Sequence, residues 1–422
     1  MNPLLVTKKV VHSILNLLIT FIGFLLPLDF QTIILANYGR PYLDANNYFF
    51  LRYLENRWRE RKEIPYIFYM ITSNPKKNGN LSPTSLRDLF VILRCKTFFI
   101  THGNGDYFWT LLGKDPRRLI IDFAHGTPVK NIATSLIQYK ERKYKLELYN
   151  KDSVLRKRTK LKPKEEVRFL KDWPPSQMRR IVSSKLDQYL MAASIPLPIE
   201  QCIPIGSPSN DLFFTDSLMD KRWERRIQSL TEGFDKIILY APTYRPDFIE
   251  NPQFLPFLEN YSVEHLEQVL KKYNAILLYR GHINTNISKE FNEKLKSPFI
   301  KNASFKKVFY VHYLLKYVDI LITDYSGVVY DFLPLNRPVI AIAKDWKQYE
   351  RVRGFYLHYD RTFPGPITMN FREFLLVLEE YLQNPNKDRQ LRQFWCRLFR
   401  DFSDGKCAHR TYLLLRRLLN QK

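Results

Sequence analysis

Four short polar segments of this chain stand directly after apolar runs, and their residue types suit phosphate chemistry. They are "HGTPVK" at residues 125–130, "YAPTYR" at 240–245, "RGH" at 280–282 and "TDYSG" at 323–327. A histidine, with an ordinary pKa of about 6.5, is suited to take a proton from a hydroxyl near neutral pH. Arginine and lysine neutralise phosphate oxygens. Ser326 and Gly327 fall where a strand gives way to a helix, whose first N–H groups and positive dipole end favour an anion. Singly, each segment also has a plain reading: His125 as a satisfied turn histidine, "PTYR" as a proline turn, Asp324 and Ser326 as helix caps. Together they point to one cleft, because ligands of open α/β sheets bind outside the carboxyl ends of the strands.

The elements that position these segments are legible as alternation. Strand-like runs "TIILAN", "YIFYMIT", "TFFITHG" and "LIIDFAHG" occupy the first half of the chain, and "KIILYAPTY", "AILLYRGH", "KVFYVH", "DILITDYSG" and "PVIAIAKD" the second. Amphipathic stretches such as "YFFLRYLENRWRERK" and "SVEHLEQVLKKY" lie between them. Such alternation predicts parallel sheets with crossover helices: an α/β protein of two Rossmann-like domains facing a cleft. The expected division is an apolar helix at 1–28, a first domain at 29–200, a second at 201–390, and a helical segment at 391–422. The stretch "SIPLPIEQCIPIG" reads as the linker between domains.

Composition narrows the partners. The 422 residues carry a formal net charge of +24, with 45% hydrophobic and 15% aromatic content, which excludes a disordered chain and favours a polyanionic partner. Residues 10–28 are uncharged, at the lower limit for a spanning helix of about 20 residues, and contain His12, Ser13, Asn16 and Pro27. They read as a helix associated with a membrane rather than as a buried core helix. Residues 140–185 hold sixteen Lys or Arg against six Asp or Glu, interleaved with Tyr144, Tyr149, Phe169 and Trp173. Such a run is ordinarily a solvated face, but beside an apolar N-terminus it also suits an anionic membrane surface. The scattered Cys95, Cys202, Cys396 and Cys407 fit neither a zinc site nor a disulfide framework and indicate a reducing compartment.

In order along the chain, "HGTPVK", "YAPTYR", "RGH", "TDYSGVVYDF", "RPVIAIAKD", "RGFY", "PGPI" and "DGKCAHR" resemble the CDP-glycerol glycerophosphotransferase family of teichoic acid primases, polymerases and related capsule transferases. "NYGRPYLDANNYFFLRYL", with Asp44, is similar to the family's opening motif. The resemblance implies a GT-B fold, with the donor held mainly by the second domain. It also implies transfer of a polyol phosphate, glycerol phosphate first among the candidates, from a CDP-activated donor to a hydroxyl of a lipid-linked or polymeric acceptor, with release of CMP. His125 would be the general base, and His282 a second catalytic group. Arg245, Thr243, Arg280, Thr323, Asp324, Ser326 and Gly327 would form the donor site, with Asp324 orienting a neighbour or meeting the ribose; Lys130, Asp44 and Arg410 are further substrate-binding candidates. No cofactor is required, and Mg²⁺ on the donor pyrophosphate is compatible with the chemistry. The donor and the cysteines place the enzyme at the cytoplasmic face of a bacterial membrane. Three positions depart from the family pattern: Ser209 in "GSPSND" where arginine is usual, Gly327 where a second serine is common, and Ile283 where proline is usual. They bear on the donor, so glycerol, ribitol and other polyols stay open, as do primase or polymerase action and the oligomeric state.

Two other function classes share some of these features. A GT-B glycosyltransferase using a nucleotide sugar would have the cleft and the histidine, though not this ordered motif set. A non-catalytic binder of anionic lipid or nucleic acid would have the charge, but it needs no polar motifs at strand ends; nucleic acid is therefore not expected as a partner. There is no Asp-x-Asp pair and no metal-ligand spacing of His and Cys.

Overall fold

In the computed structural model, the residues described are 18–19, 21–37, 42–61, 64–72, 80–82, 85–101, 115–124, 126–132, 135–136, 138, 177–195, 197–243, 263–281 and 297–420. Eight of the nine apolar runs are strands. The first sheet contains β1 (Asp29–Asn37), β2 (Ile67–Thr72), β3 (Cys95–Ile100), β4 (Leu119–Asp122), β5 (Met178–Val182) and β6 (Cys202–Pro204), in the order β2-β1-β3-β4-β5-β6. The second contains β7 (Lys236–Tyr240), β8 (Ala275–Tyr279), β9 (Ile300–Asn302), β10 (Ile320–Thr323), β11 (Val339–Ile342) and β12 (Ile367–Thr368), in the order β12-β11-β10-β7-β8-β9. Every pairing is parallel; Ile33 of β1, for instance, lies between Phe68 and Thr97, and Leu321 of β10 between Leu239 and Val339. Helices cover both faces of such sheets, so β4, β8, β10 and β11 are buried along their whole length and read as unbroken apolar runs.

Each sheet reverses its direction of growth once. In the second, β7 and β10 lie side by side at that reversal, which is the Rossmann strand order. In the first, the reversal lies between β1 and β3. A ligand crevice opens at such points beyond the strand ends; "YAPT" and "TDYSG" follow β7 and β10 at the second reversal, while "HGTPVK" follows β4 of the first sheet.

Two expectations, the bare linker and the strand at "KVFYVH", are corrected here, and the C-terminal helical segment takes a definite place. "SIPLPIEQCIPIG" is not a bare linker: it holds a 3₁₀ turn, Ile199–Gln201, and the edge strand β6, so the first sheet continues to Pro204. The C-terminal helix Cys407–Asn420 returns to the first domain, where Ala408, Tyr412 and Leu415 pack with Ile33, Leu35 and Phe50. "KVFYVH" is a turn leading into the helix Val311–Leu315. Its apolar side chains are drawn across the domain boundary instead of into a ladder: Tyr310 stacks on Tyr48 with centroids 4.3 Å apart and donates its hydroxyl to Leu43 O at 2.7 Å. Tyr48 belongs to the helix Ala45–Arg61, so this aromatic contact ties the opening motif of the first domain to the second.

Among the described N-terminal residues, 18–19 and 21–25 are helical. Ile19 and Leu26 pack against the first core, while Leu18, Phe21, Ile22 and Leu25, spaced i, i+3, i+4 and i+7, are exposed. No helix of the described residues is long and apolar enough to cross a membrane.

Candidate active site

The turns after β7 and β10 are bound to each other at the reversal of the second sheet. Thr323 Oγ1 donates to Ala241 O at 2.8 Å, and the backbone N–H groups of Thr243 and Tyr325 donate to Asp324 Oδ1 at 2.8 and 2.6 Å. Asp324 is buried and clamps "YAPT" to "TDYSG". The aromatic rings of Tyr325, Tyr349, Phe355 and Tyr359 pack behind this turn, and Tyr359 donates its hydroxyl to Asp324 O at 3.2 Å. Ser326 and Gly327 remain half-buried at the start of the helix Val328–Phe332. That helix has only five residues, so its dipole is short and the anion-holding capacity of the turn rests mainly on local N–H groups.

The end of β4 approaches from the first domain. On either side of position 125, Ala124 (φ 52°) lies in the left-handed region that L-residues seldom occupy, and Gly126 (φ 137°) in a region open to glycine. Thr127 donates to Asp187 Oδ2 at 3.1 Å, anchoring the segment to its own domain. Its carbonyl meets the second domain at Gly327, where a β-carbon would stand 2.7 Å from Thr127 O. Further along, Lys130 forms an isolated bridge with Phe355, Asn131 N–H donates to Gly354 O at 3.1 Å, and Lys130 Nζ lies 5.6 Å from the Tyr349 ring centre. "HGTPVK", "TDYSG" and "RGFY", far apart in sequence, thus form one surface.

Beneath it lies a buried polar node that sequence reading did not single out. Asp331 accepts from Arg400 Nη2 at 2.6 Å, and its other oxygen is 3.8 Å from His312 Nε2 and 3.8 Å from the position of a β-carbon on Gly126. Arg400 Nε donates to Tyr330 O, Asn210 Nδ2 donates to Asp331 O, and Ser209 N–H donates to Asn46 Oδ1. Burial lowers the pKa of His312, partly opposed by the Asp331 charge. Asp331 stands seven residues after Asp324 in one quoted motif; Arg400 and His312 carry no local signal.

The remaining candidates are placed differently. Arg280 Nη1 donates to Ala303 O (3.0 Å) and Val308 O (2.6 Å), and Nη2 to Phe309 O (2.8 Å); burial brings its pKa down to about 10, so it remains charged at neutral pH. It braces the loop 303–309. Asp44, at the reversal of the first sheet, accepts from Thr101 Oγ1 at 2.6 Å. Arg410 forms a two-pronged pair with Asp404 and donates to Ile205 O, which fixes the C-terminal helix to the end of β6. The structure therefore gathers Thr243, Thr323, Asp324, Ser326, Gly327 and Lys130, while Arg410 has a separate, architectural set of partners. His125, Arg245 and His282 lie outside the described residues, as does most of the basic stretch. Among the described residues no group of three or more His, Cys, Asp or Glu side chains could hold a metal ion.

Two parallel-sheet domains, with polar turns from both meeting beyond their strand ends, make up a GT-B-like architecture. The profile of the family described as CDP-Glycerol:Poly(glycerophosphate) glycerophosphotransferase matches residues 18–416, and the chain belongs to this family. Among relatives, it is 26% identical over 329 residues to the teichoic acid glycerol-phosphate transferase of Staphylococcus aureus (strain NCTC 8325 / PS 47), covering 77% of each chain. It is 23% identical over 397 residues, 92% of each chain, to the teichoic acid poly(glycerol phosphate) polymerase of Bacillus spizizenii (strain ATCC 23059 / NRRL B-14472 / W23). Its fold matches a structure of the wall teichoic acid polymerase TagF with a TM-score of 0.73, at 19% identity and 98% coverage of both chains. The chain is thus a glycerophosphotransferase, and the reaction expected from its sequence, with glycerol phosphate as the transferred group, is that of its family.

Proposed function

We propose that this enzyme transfers glycerol phosphate from CDP-glycerol to a terminal hydroxyl of a lipid-linked or polymeric phosphate-rich acceptor in teichoic acid-like synthesis, releasing CMP. The observation that carries this reading is the family match together with the meeting of "HGTPVK" and "TDYSG" at Thr127 and Gly327. His125, carried by the strained turn after β4, takes the acceptor proton as the hydroxyl attacks the phosphorus bearing the glycerol. The bond to the CMP oxygen breaks, and the electron pair leaves with CMP. Charge on the transferring group is stabilised by positioned cations and N–H donors, which carry most of phosphoryl-transfer catalysis. Arg245 and His282 are the cations proposed for the donor, and N–H groups of the Ser326–Gly327 turn are proposed as further donors to its phosphates. Arg280 acts indirectly, by holding the loop 303–309. The enzyme works at the cytoplasmic face of the membrane, which it reaches through its exposed N-terminal apolar face and its basic stretch.

The test is CMP release from CDP-glycerol, CDP-ribitol and a panel of nucleotide sugars, by the wild type and His125→Ala. The expected result is release from CDP-glycerol, lowered by at least about 10²–10⁴-fold in the folded variant. Release from a nucleotide sugar alone would replace this reading with that of a glycosyltransferase.

A further inference from the structure

The helix Lys221–Thr231 presents Arg222, Arg225 and Arg226, spaced i, i+3 and i+4, on one exposed face, while Ile227 on the opposite face is buried in the second-domain core. Lys306 and Lys307, also exposed, face the same groove, which encloses about 470 Å³ and has Trp223 in its lining. Among the described residues, no carboxylate lines it. Glu224 is turned aside to accept from the Tyr317 hydroxyl at 3.1 Å, and Asp220 caps the helix, with its other oxygen 3.8 Å from Arg222. Like charges at i, i+4 and cations in a first helical turn both destabilise a helix. Five cations facing one concavity are therefore unfavourable for the fold alone, and they become favourable when an anion fills the groove.

We infer that this groove binds an extended polyanion: the phosphate-bearing chain of the acceptor or product, outside the reacting centre. The inference rests on the reading of the enzyme as a polyol-phosphate transferase. Five cations exceed what the two phosphates of a CDP donor require, and they suit a chain with a phosphate on every unit. The groove is joined to the donor side of the molecule by one loop. Lys306 and Lys307 lie in the segment whose Ala303, Val308 and Phe309 carbonyls are held by Arg280, and the Trp223 ring stands 6.4 Å from that of Phe309. A concave wall of charge also fits a chain better than a bilayer; the exposed apolar face suited to a bilayer is on residues 18–25, in the other domain.

The test compares wild type with Arg222→Ala/Arg225→Ala/Arg226→Ala and, from the other wall, Lys306→Ala/Lys307→Ala. Binding of long-chain inorganic polyphosphate, of purified poly(glycerol phosphate) and of anionic phospholipid vesicles is titrated at several salt concentrations, and CMP release is measured on a single-unit and a long acceptor. Both variants should bind polyphosphate and the polymer roughly tenfold or more weakly, with a shallower salt dependence, because fewer counterions are displaced. They should lose turnover on the long acceptor at limiting concentration and keep it on the short one. Equal polyphosphate binding by all three proteins would overturn the inference, as would a loss confined to vesicles. If wild type bound polyphosphate through these residues yet released no CMP from any CDP-polyol, the function reading would fail and the polyanion groove would stand.

Discussion

Gly327 and Thr127 belong to different domains, yet a β-carbon on Gly327 would come within 2.7 Å of the Thr127 carbonyl oxygen. The obstacle is backbone, which cannot rotate aside, so this contact sets how closely the turn after β4 and the turn after β10 approach. The glycine that departs from the family's usual serine thus has a local steric reason. Gly327→Ala is expected to lose about 1–3 kcal/mol of stability, the range for overpacking, and to lower CMP release by displacing "HGTPVK". Thermal unfolding and steady-state kinetics check this; an unchanged melting temperature with full activity would contradict it.

Asp324 separates acceptor geometry from charge. Asp324→Ala leaves the half-buried Thr243 N–H and the buried Tyr325 N–H without their shared acceptor, and an orphaned buried donor costs about 1–3 kcal/mol. Asp324→Asn keeps an oxygen in place and should recover most of that stability. Equal denaturant midpoints for the two variants would show that the clamp does not matter.

Arg280→Ala removes three hydrogen bonds from a charged donor to loop carbonyls. Such bonds contribute roughly 1.5–3 kcal/mol each, so the variant should be destabilised by at least about 3 kcal/mol, with Arg280→Lys intermediate. A variant as stable as wild type, weakened only in CDP affinity, would return Arg280 to direct contact with the donor.

His312 makes stability depend on acid. Its folded pKa lies below the ordinary value of about 6.5 because burial disfavours the cation, with Arg400 and Arg280 adding repulsion and Asp331 opposing both. The unfolded chain therefore takes up this proton first as pH falls. The contribution of His312 is fully present above about pH 6.5 and is lost as pH drops towards the lowered folded value. Subtracting the stability of His312→Phe from that of wild type should give a difference that grows more unfavourable to wild type between about pH 7.5 and about pH 5. A flat difference would reject the assignment.

Phe21 and Leu25, 64% and 70% exposed, lie on the outward face of the N-terminal helix while Ile19 and Leu26 face the core. Phe21→Asp/Leu25→Asp should reduce sedimentation with anionic vesicles and leave unfolding unchanged, because burial of apolar side chains at the interface is what an amphipathic helix contributes. The binding that remains should weaken at high salt, where screening shortens the Debye length to about 3 Å at 1 M. Undiminished binding to neutral vesicles would show that this face does not meet the membrane.

The strands and the polar turns that follow them were legible in the residues because both are local properties. A fully buried parallel strand is a run of apolar side chains, and a motif such as "TDYSG" sits beside the run that ends at it. β8, β10 and β11 could be read in that way. β5, "MRRIV", could not, since its two arginines break the apolar run and one of them, Arg180, is buried against Asp122. "KVFYVH" had a strand's composition, but Tyr310 found Tyr48 across the domain boundary, so its apolar surface was covered without a ladder. The family resemblance proposed Arg280 for the donor site and Arg410 for substrate binding; geometry gives their guanidinium groups to loop carbonyls and to Asp404. Asp331, Arg400 and His312 gained meaning only once chain segments separated by many residues were buried together, where each polar group must find its partner within the protein. Sequence by itself determined which residue types stand at the ends of which strands. The distance between Thr127 and Gly327, 200 positions apart, was decided by the docking of two domains, because long-range packing depends on shapes that no local pattern encodes.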